Sequence, residues 1–80
     1  MVKAKFPRLR EVRENLGLRM QEFYFSMPKQ VRPSATTLYK IERGIAVDEV
    51  TARNIFHAIN KFHLKRTGKT LDIRKEITRT

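Results

Sequence analysis

The apolar residues Ala52, Ile55, Phe56 and Ile59, with Phe62 beyond them, recur at steps of three and four, the strongest periodic signal in the chain. That period places their side chains on one stripe of an α-helix, and such a stripe must be buried against something else. Asp48 stands where an N-cap belongs, and Glu49 is favourable in the first turn of the same helix. The chain is therefore built around one amphipathic helix of moderate length, and the remaining segments are shorter pieces of the same kind.

Three of those pieces precede it. Leu9, Val12 and Leu16 give a first helix that begins near Pro7 and is stopped by Gly17, a residue that accepts a left-handed turn. Met20, Phe23 and Met27 give a second, spanning about Arg19 to Met27 and ended by Pro28. The stretch from Pro28 to Pro33 reads as a connecting loop. Ser34 is a good N-cap for a third helix, residues 35–43, whose seam is Leu38 and Ile41 and whose stop is Gly44. Leu9, Val12, Leu16, Phe23, Leu38, Ile41, Ile55 and Ile59 are the expected centre of the core. Residues 1–5 alternate small and basic side chains and are expected to form a flexible basic arm. After Gly68, Leu71, Ile73 and Ile77 fit either a strand or a helix, and the Thr and Ile content tips the reading to a short C-terminal strand. The expected fold is all-α: a compact bundle of four to five short helices, with that strand as its one possible exception.

Charge narrows the function. The 80 residues carry 18 Lys and Arg against 8 Asp and Glu, a net charge of +10. The excess is spread along the chain, with nine basic and three acidic side chains in residues 1–40 and nine and five in residues 41–80. A polyanion is the implied partner, nucleic acid before an anionic membrane. The longest clean apolar run, Phe23-Tyr24-Phe25, is too short for a signal sequence or a membrane span, so neither a secreted nor a membrane protein is expected. The lack of cysteine removes disulfides and thiolate metal ligands and is compatible with a reducing cytosol.

Catalysis finds little support. His57 and His63 lie six residues apart on one helix, roughly 240° around its axis, and cannot share a ligand face. The three glycines are isolated and form no phosphate-cradling loop. Asp48 already has a capping role, leaving Asp72 as the one other aspartate. No enzyme, metal site, cofactor or small-molecule substrate is expected.

The third helix offers more. Its outward positions are Ala35, Thr36, Tyr39, Lys40 and Arg43, with Arg32 just ahead and Glu42 its one acid. Small residues at the N-terminal end let a helix backbone approach base edges in the major groove, and donors further along can read them. Lys40 can donate to guanine, Thr36 can pair with several bases, and the Ala35 methyl can touch a thymine methyl.

The segments Leu9-Arg10-Glu11-Val12-Arg13-Glu14-Asn15-Leu16-Gly17-Leu18 and Ser34-Ala35-Thr36-Thr37-Leu38-Tyr39-Lys40-Ile41-Glu42-Arg43-Gly44 together resemble the lambda-repressor/Cro-like (XRE-type) helix-turn-helix DNA-binding family, and the helix from Asp48 to Asn60 is similar to that family's fourth. The resemblance covers residues 8–62. It implies a sequence-specific binder of double-stranded DNA, a homodimer, and a transcriptional repressor or autoregulator of a bacterium, plasmid or phage, cytoplasmic and nucleoid-associated. On it, Ser34, Ala35, Thr36 and Lys40 are the base readers. Thr37, Tyr39 and Arg43 are backbone or flanking contacts, Arg19 or Met20 opens the helix that meets a phosphate, and Arg13 and Glu42 are a buried pair tying the first helix to the third. The loop cations Lys29 and Arg32, and Arg53, are further phosphate contacts expected from their charge. Residues 6–66 would then be the DNA-binding domain and 67–80 a candidate dimer contact.

The chain departs from the family in the second helix and the turn. Leu18 and Ser34 are 16 positions apart, where the family pattern has about 12; Tyr24 replaces a small residue, and the turn glycine is missing. A bulky residue there pushes helix axes apart. Two other readings stay open: an antitoxin built on the same frame, and a basic RNA-binding protein. The cluster Lys61, Lys65, Arg66 and Lys69 is either a phosphate-facing flank or a solvated helix end.

Overall fold

The computed structural model describes residues 2–80. Along the chain run β1 (Lys3–Lys5), α1 (Leu9–Asn15), α2 (Met20–Ser26), α3 (Ala35–Glu42), β2 (Val47–Asp48), α4 (Glu49–Thr67), α5 (Ile73–Glu76) and β3 (Thr78–Arg79). The first four helices lie where the periodicity puts them, within a residue or two at most boundaries, whereas α5 forms in a segment read as a strand. The fold is not purely all-α, however, because the three strands form one antiparallel sheet of order β2-β1-β3.

That sheet corrects the reading of both ends. Residues 3–5 are the central strand, not a flexible arm: Lys3 and Ala4 pair with Asp48 and Val47, and Ala4 and Lys5 with Arg79 and Thr78. The alternation of Val2, Lys3, Ala4, Lys5 and Phe6 is a period-two signal. Ala4 and Phe6 are fully buried while Lys3 and Lys5 face water. The C-terminal segment pairs within its own chain. A single helical turn, started by the Asp72 carboxylate accepting from the Arg74 N–H at 3.0 Å, carries Ile73 and Ile77 against the core and leads into β3. Arg79 then meets Glu49 at the start of α4, and Arg8 donates to the buried Glu76 at 3.1 Å. Residues 73–76 are thus helical where a strand was expected, and the strand itself is Thr78–Arg79.

The core joins Phe6, Leu9 and Val12 to Leu38, Ile41 and the α4 stripe of Ala52, Ile55, Phe56 and Ile59. Phe6 meets Phe56 with ring centroids 5.8 Å apart, and Phe23 of α2 meets Phe62 edge-on at 6.4 Å. α1 and α3 end by the same device. The Leu18 N–H reaches back to the Arg13 carbonyl and the Ile45 N–H to the Lys40 carbonyl, each over a glycine with positive φ (Gly17 +72°, Gly44 +83°). This closure leaves glycine the one residue that fits without strain. Asp48 occupies the N-cap position of α4 but makes no side-chain capping bond there; its backbone pairs in β2.

Candidate nucleic-acid interface

α3 is fixed to the body from both sides. Leu38 and Ile41 are fully buried beneath it. Above them, the Arg13 guanidinium of α1 grips both oxygens of Glu42, Nε to Oε2 at 2.6 Å and Nη2 to Oε1 at 2.9 Å, and its third donor reaches the Leu18 carbonyl at 2.7 Å. Both side chains are about nine-tenths removed from water. The Glu42 hydrogen bonds raise the Arg13 guanidinium above its ordinary value, against desolvation that lowers it, so Arg13 keeps its charge in this buried place. The expected pair is thus present as a bidentate clamp.

The opposite face of α3 is open. Ser34, Ala35, Thr36, Tyr39, Lys40 and Arg43 are exposed, and Thr37 is half-buried. Ser34 acts first as a cap: its hydroxyl accepts from the Thr37 N–H at 3.1 Å and shares a hydrogen bond with the Thr37 hydroxyl at 2.8 Å. This leaves Thr36 and Lys40, one helical turn apart, as the free polar side chains among the expected base readers, with Ala35 beside them.

The expected phosphate contacts are scattered by comparison. Arg19 and Lys29 are exposed on the start of α2 and on the loop, and Arg53 is exposed on α4. Arg32 is largely committed: its Nη2 donates to the Phe25 and Met27 carbonyls at 3.2 and 2.9 Å, its Nε donates to Met27, and its guanidinium lies against the rings of Tyr24 and Phe25. It closes the C-terminal end of α2, which corrects its reading as a free phosphate ligand. The first turn of α2 already holds an anion, since the Glu22 carboxylate accepts from the Arg19 N–H at 3.0 Å.

The extra chain between α2 and α3 goes into the loop, residues 27–34, because α2 itself stops at Ser26. A tight turn forms there, with the Val31 and Arg32 N–H groups both donating to the Pro28 carbonyl. A groove of about 340 Å³ opens between the helices, walled by Met20, Tyr24 and Phe25 from α2 and Ala35, Leu38 and Tyr39 from α3. Next to it, sharing Met20 and Tyr39, is a smaller depression of about 120 Å³ that carries Arg10, Arg13, Glu42 and Arg43. Arg10 is the functional candidate that the sequence did not single out. The signal for Arg10 was indirect: pairing Arg13 with Glu42 necessarily brings the α1 surface one turn earlier near Arg43.

Among the described residues, no cluster of three His, Cys, Asp or Glu side chains could hold a metal, and no helix is long and apolar enough to cross a membrane. Compared with known proteins, the chain matches no family model, no curated protein and no solved structure.

Proposed function

We propose that the protein binds double-stranded DNA sequence-specifically, with α2, the loop and α3 acting as a helix-turn-helix and α3 entering the major groove. The observation that carries this reading is the outward face of α3. It is small at its capped N-terminal end, polar at Thr36, cationic at Lys40 and Arg43, and clamped to the body by a buried ion pair at its far end. A reading element must be rigid as well as exposed, because each donor has to meet a base edge within hydrogen-bond tolerance.

The net charge of +10 supports the same reading through the phosphates. Lys29, Arg19, Arg43 and Arg53 supply the backbone contacts, and Tyr39 flanks them. The regulatory role is that of a repressor or autoregulator acting as a homodimer, since a module this small touches few bases and a two-fold site doubles them.

The test is selection of bound sites from a random duplex library at about 150 mM salt. The reading expects a short enriched motif, present as an inverted repeat with half-sites about one helical turn apart. With roughly six phosphates neutralised, the log–log salt slope should be about −5. Unenriched binding that disappears as salt rises would overturn sequence-specific recognition. Equal affinity for RNA would favour the RNA-binding alternative instead.

A further inference from the structure

We propose that the groove between α2 and α3 and the depression beside it form one nucleotide site. The groove takes the base of an unpaired nucleotide in a DNA strand, and the arginines next to it take that nucleotide's phosphate. The inference deepens the DNA-binding reading and rests on it for the choice of DNA.

Two large aromatic side chains stand in water at this groove, Phe25 at 67% and Tyr39 at 57% exposure. Neither stands alone. Phe25 meets Tyr24 edge-to-face at 5.1 Å, and the Arg32 guanidinium lies 5.4 and 5.3 Å from the two ring centres while hydrogen-bonded to the end of α2. Arg43 lies 5.8 Å from the centre of the Tyr39 ring. Aromatic rings held in this way lose little rotamer freedom when a flat partner stacks on them.

The second compartment decides the occupant. An apolar slot by itself would suit a protein side chain equally well. This one shares Met20 and Tyr39 with a depression that carries Arg10, Arg13 and Arg43. Glu42 neutralises Arg13. Glu14 lies 3.6 Å from Arg10, but both are more than half exposed, and such a pair is weak in water. The depression therefore keeps a positive excess. An apolar aromatic slot joined to arginines, on a chain of net charge +10, complements a heteroaromatic ring that carries a phosphate. Stacking on aromatics tolerates any base, so the site would sense that a base is unpaired more than which base it is. In an intact duplex the bases are stacked inside, and an opened strand or an extruded nucleotide would have to supply one.

The experiment compares two probes of equal length at about 150 mM salt: an oligothymidine strand and an abasic strand with the same phosphates. The wild-type protein should bind the oligothymidine roughly five- to one-hundred-fold tighter. Phe25→Ala should remove most of that ratio while leaving affinity for the abasic strand unchanged, Tyr39→Ala should lower the ratio, and Arg43→Ala should weaken both strands. Both aromatic side chains are exposed, so their variants should fold, with far-UV circular dichroism and melting as the check. Equal wild-type affinity for the two strands would overturn the proposal, as would a Phe25→Ala loss that is the same on both. Self-association abolished by Phe25→Ala, with no strand preference, would overturn it in favour of an interface between two copies. Failure of the duplex selection leaves the strand ratio unaffected, and failure of the strand ratio leaves a selected duplex motif unaffected, so the two readings fail separately.

Discussion

Glu42→Ala is the most informative single change. The Glu42 carboxylate is the partner of two Arg13 donors at 2.6 and 2.9 Å, in a site where the two side chains keep 6% and 10% of their exposure. Removing it strands a guanidinium that can neither deprotonate nor reach water without moving α1 away from α3. Breaking a buried pair in this way costs about 3–5 kcal/mol. A domain of 80 residues has roughly 4–12 kcal/mol in total, so the variant should lose a large fraction of its stability and melt at least roughly 12 °C lower. Urea unfolding of the wild type, Glu42→Ala, Arg13→Met and the double variant Arg13→Met/Glu42→Leu completes a cycle. Each single variant should be strongly destabilised, and the double variant should recover most of the loss, because apolar side chains of similar volume need no partner there. The double variant should also keep its DNA affinity, since Leu38 and Ile41 still seat α3. A Glu42→Ala cost under about 1 kcal/mol would refute the reasoning and mean that the pair is screened as surface pairs are.

Other substitutions test separate links. Phe6→Ala should cost about 3–5 kcal/mol by urea unfolding, because Phe6 is fully buried against Phe56; a cost near zero would return residues 2–5 to a loose arm. Lys40→Ala should cost roughly 1–3 kcal/mol at one base pair of the selected site and relax specificity there, whereas an equal loss on every sequence would make Lys40 a phosphate contact. Lys29→Ala should weaken binding uniformly and reduce the salt slope by about 1 with no change in melting. Arg32→Ala should instead lower the melting temperature, since it frees the carbonyls of Phe25 and Met27; an unchanged melt would mean that these bonds contribute nothing to the fold.

Local chemistry made most of the helical frame legible. Ser34 capping α3, Gly17 and Gly44 closing α1 and α3, and the Ala52–Ile59 stripe of α4 are all set by residues within a turn or two of one another. For the same reason, the outward face of α3 is legible in the sequence alone. The Arg13–Glu42 clamp was legible too, but only through family resemblance, because nothing local links residues 29 positions apart.

The remainder was decided by tertiary contact. Strands of two or three residues carry almost no periodic signal, and β1 is a strand because Val47–Asp48 and Thr78–Arg79 arrive on either side of it from distant parts of the chain. Alternation at residues 2–6 was present in the sequence, but a half-buried strand needs partners before its alternation means anything. The fate of Arg32 followed the same logic: a cation beside a loop is free or occupied according to which carbonyls the loop brings within reach. The groove between α2 and α3 depends on helix spacing, which only the packed structure could measure. Sequence determined which segments are helical and which face of α3 is polar, because those depend on neighbours a turn away. Tertiary structure decided where the chain ends go and which cations remain free, because those depend on neighbours far along the chain.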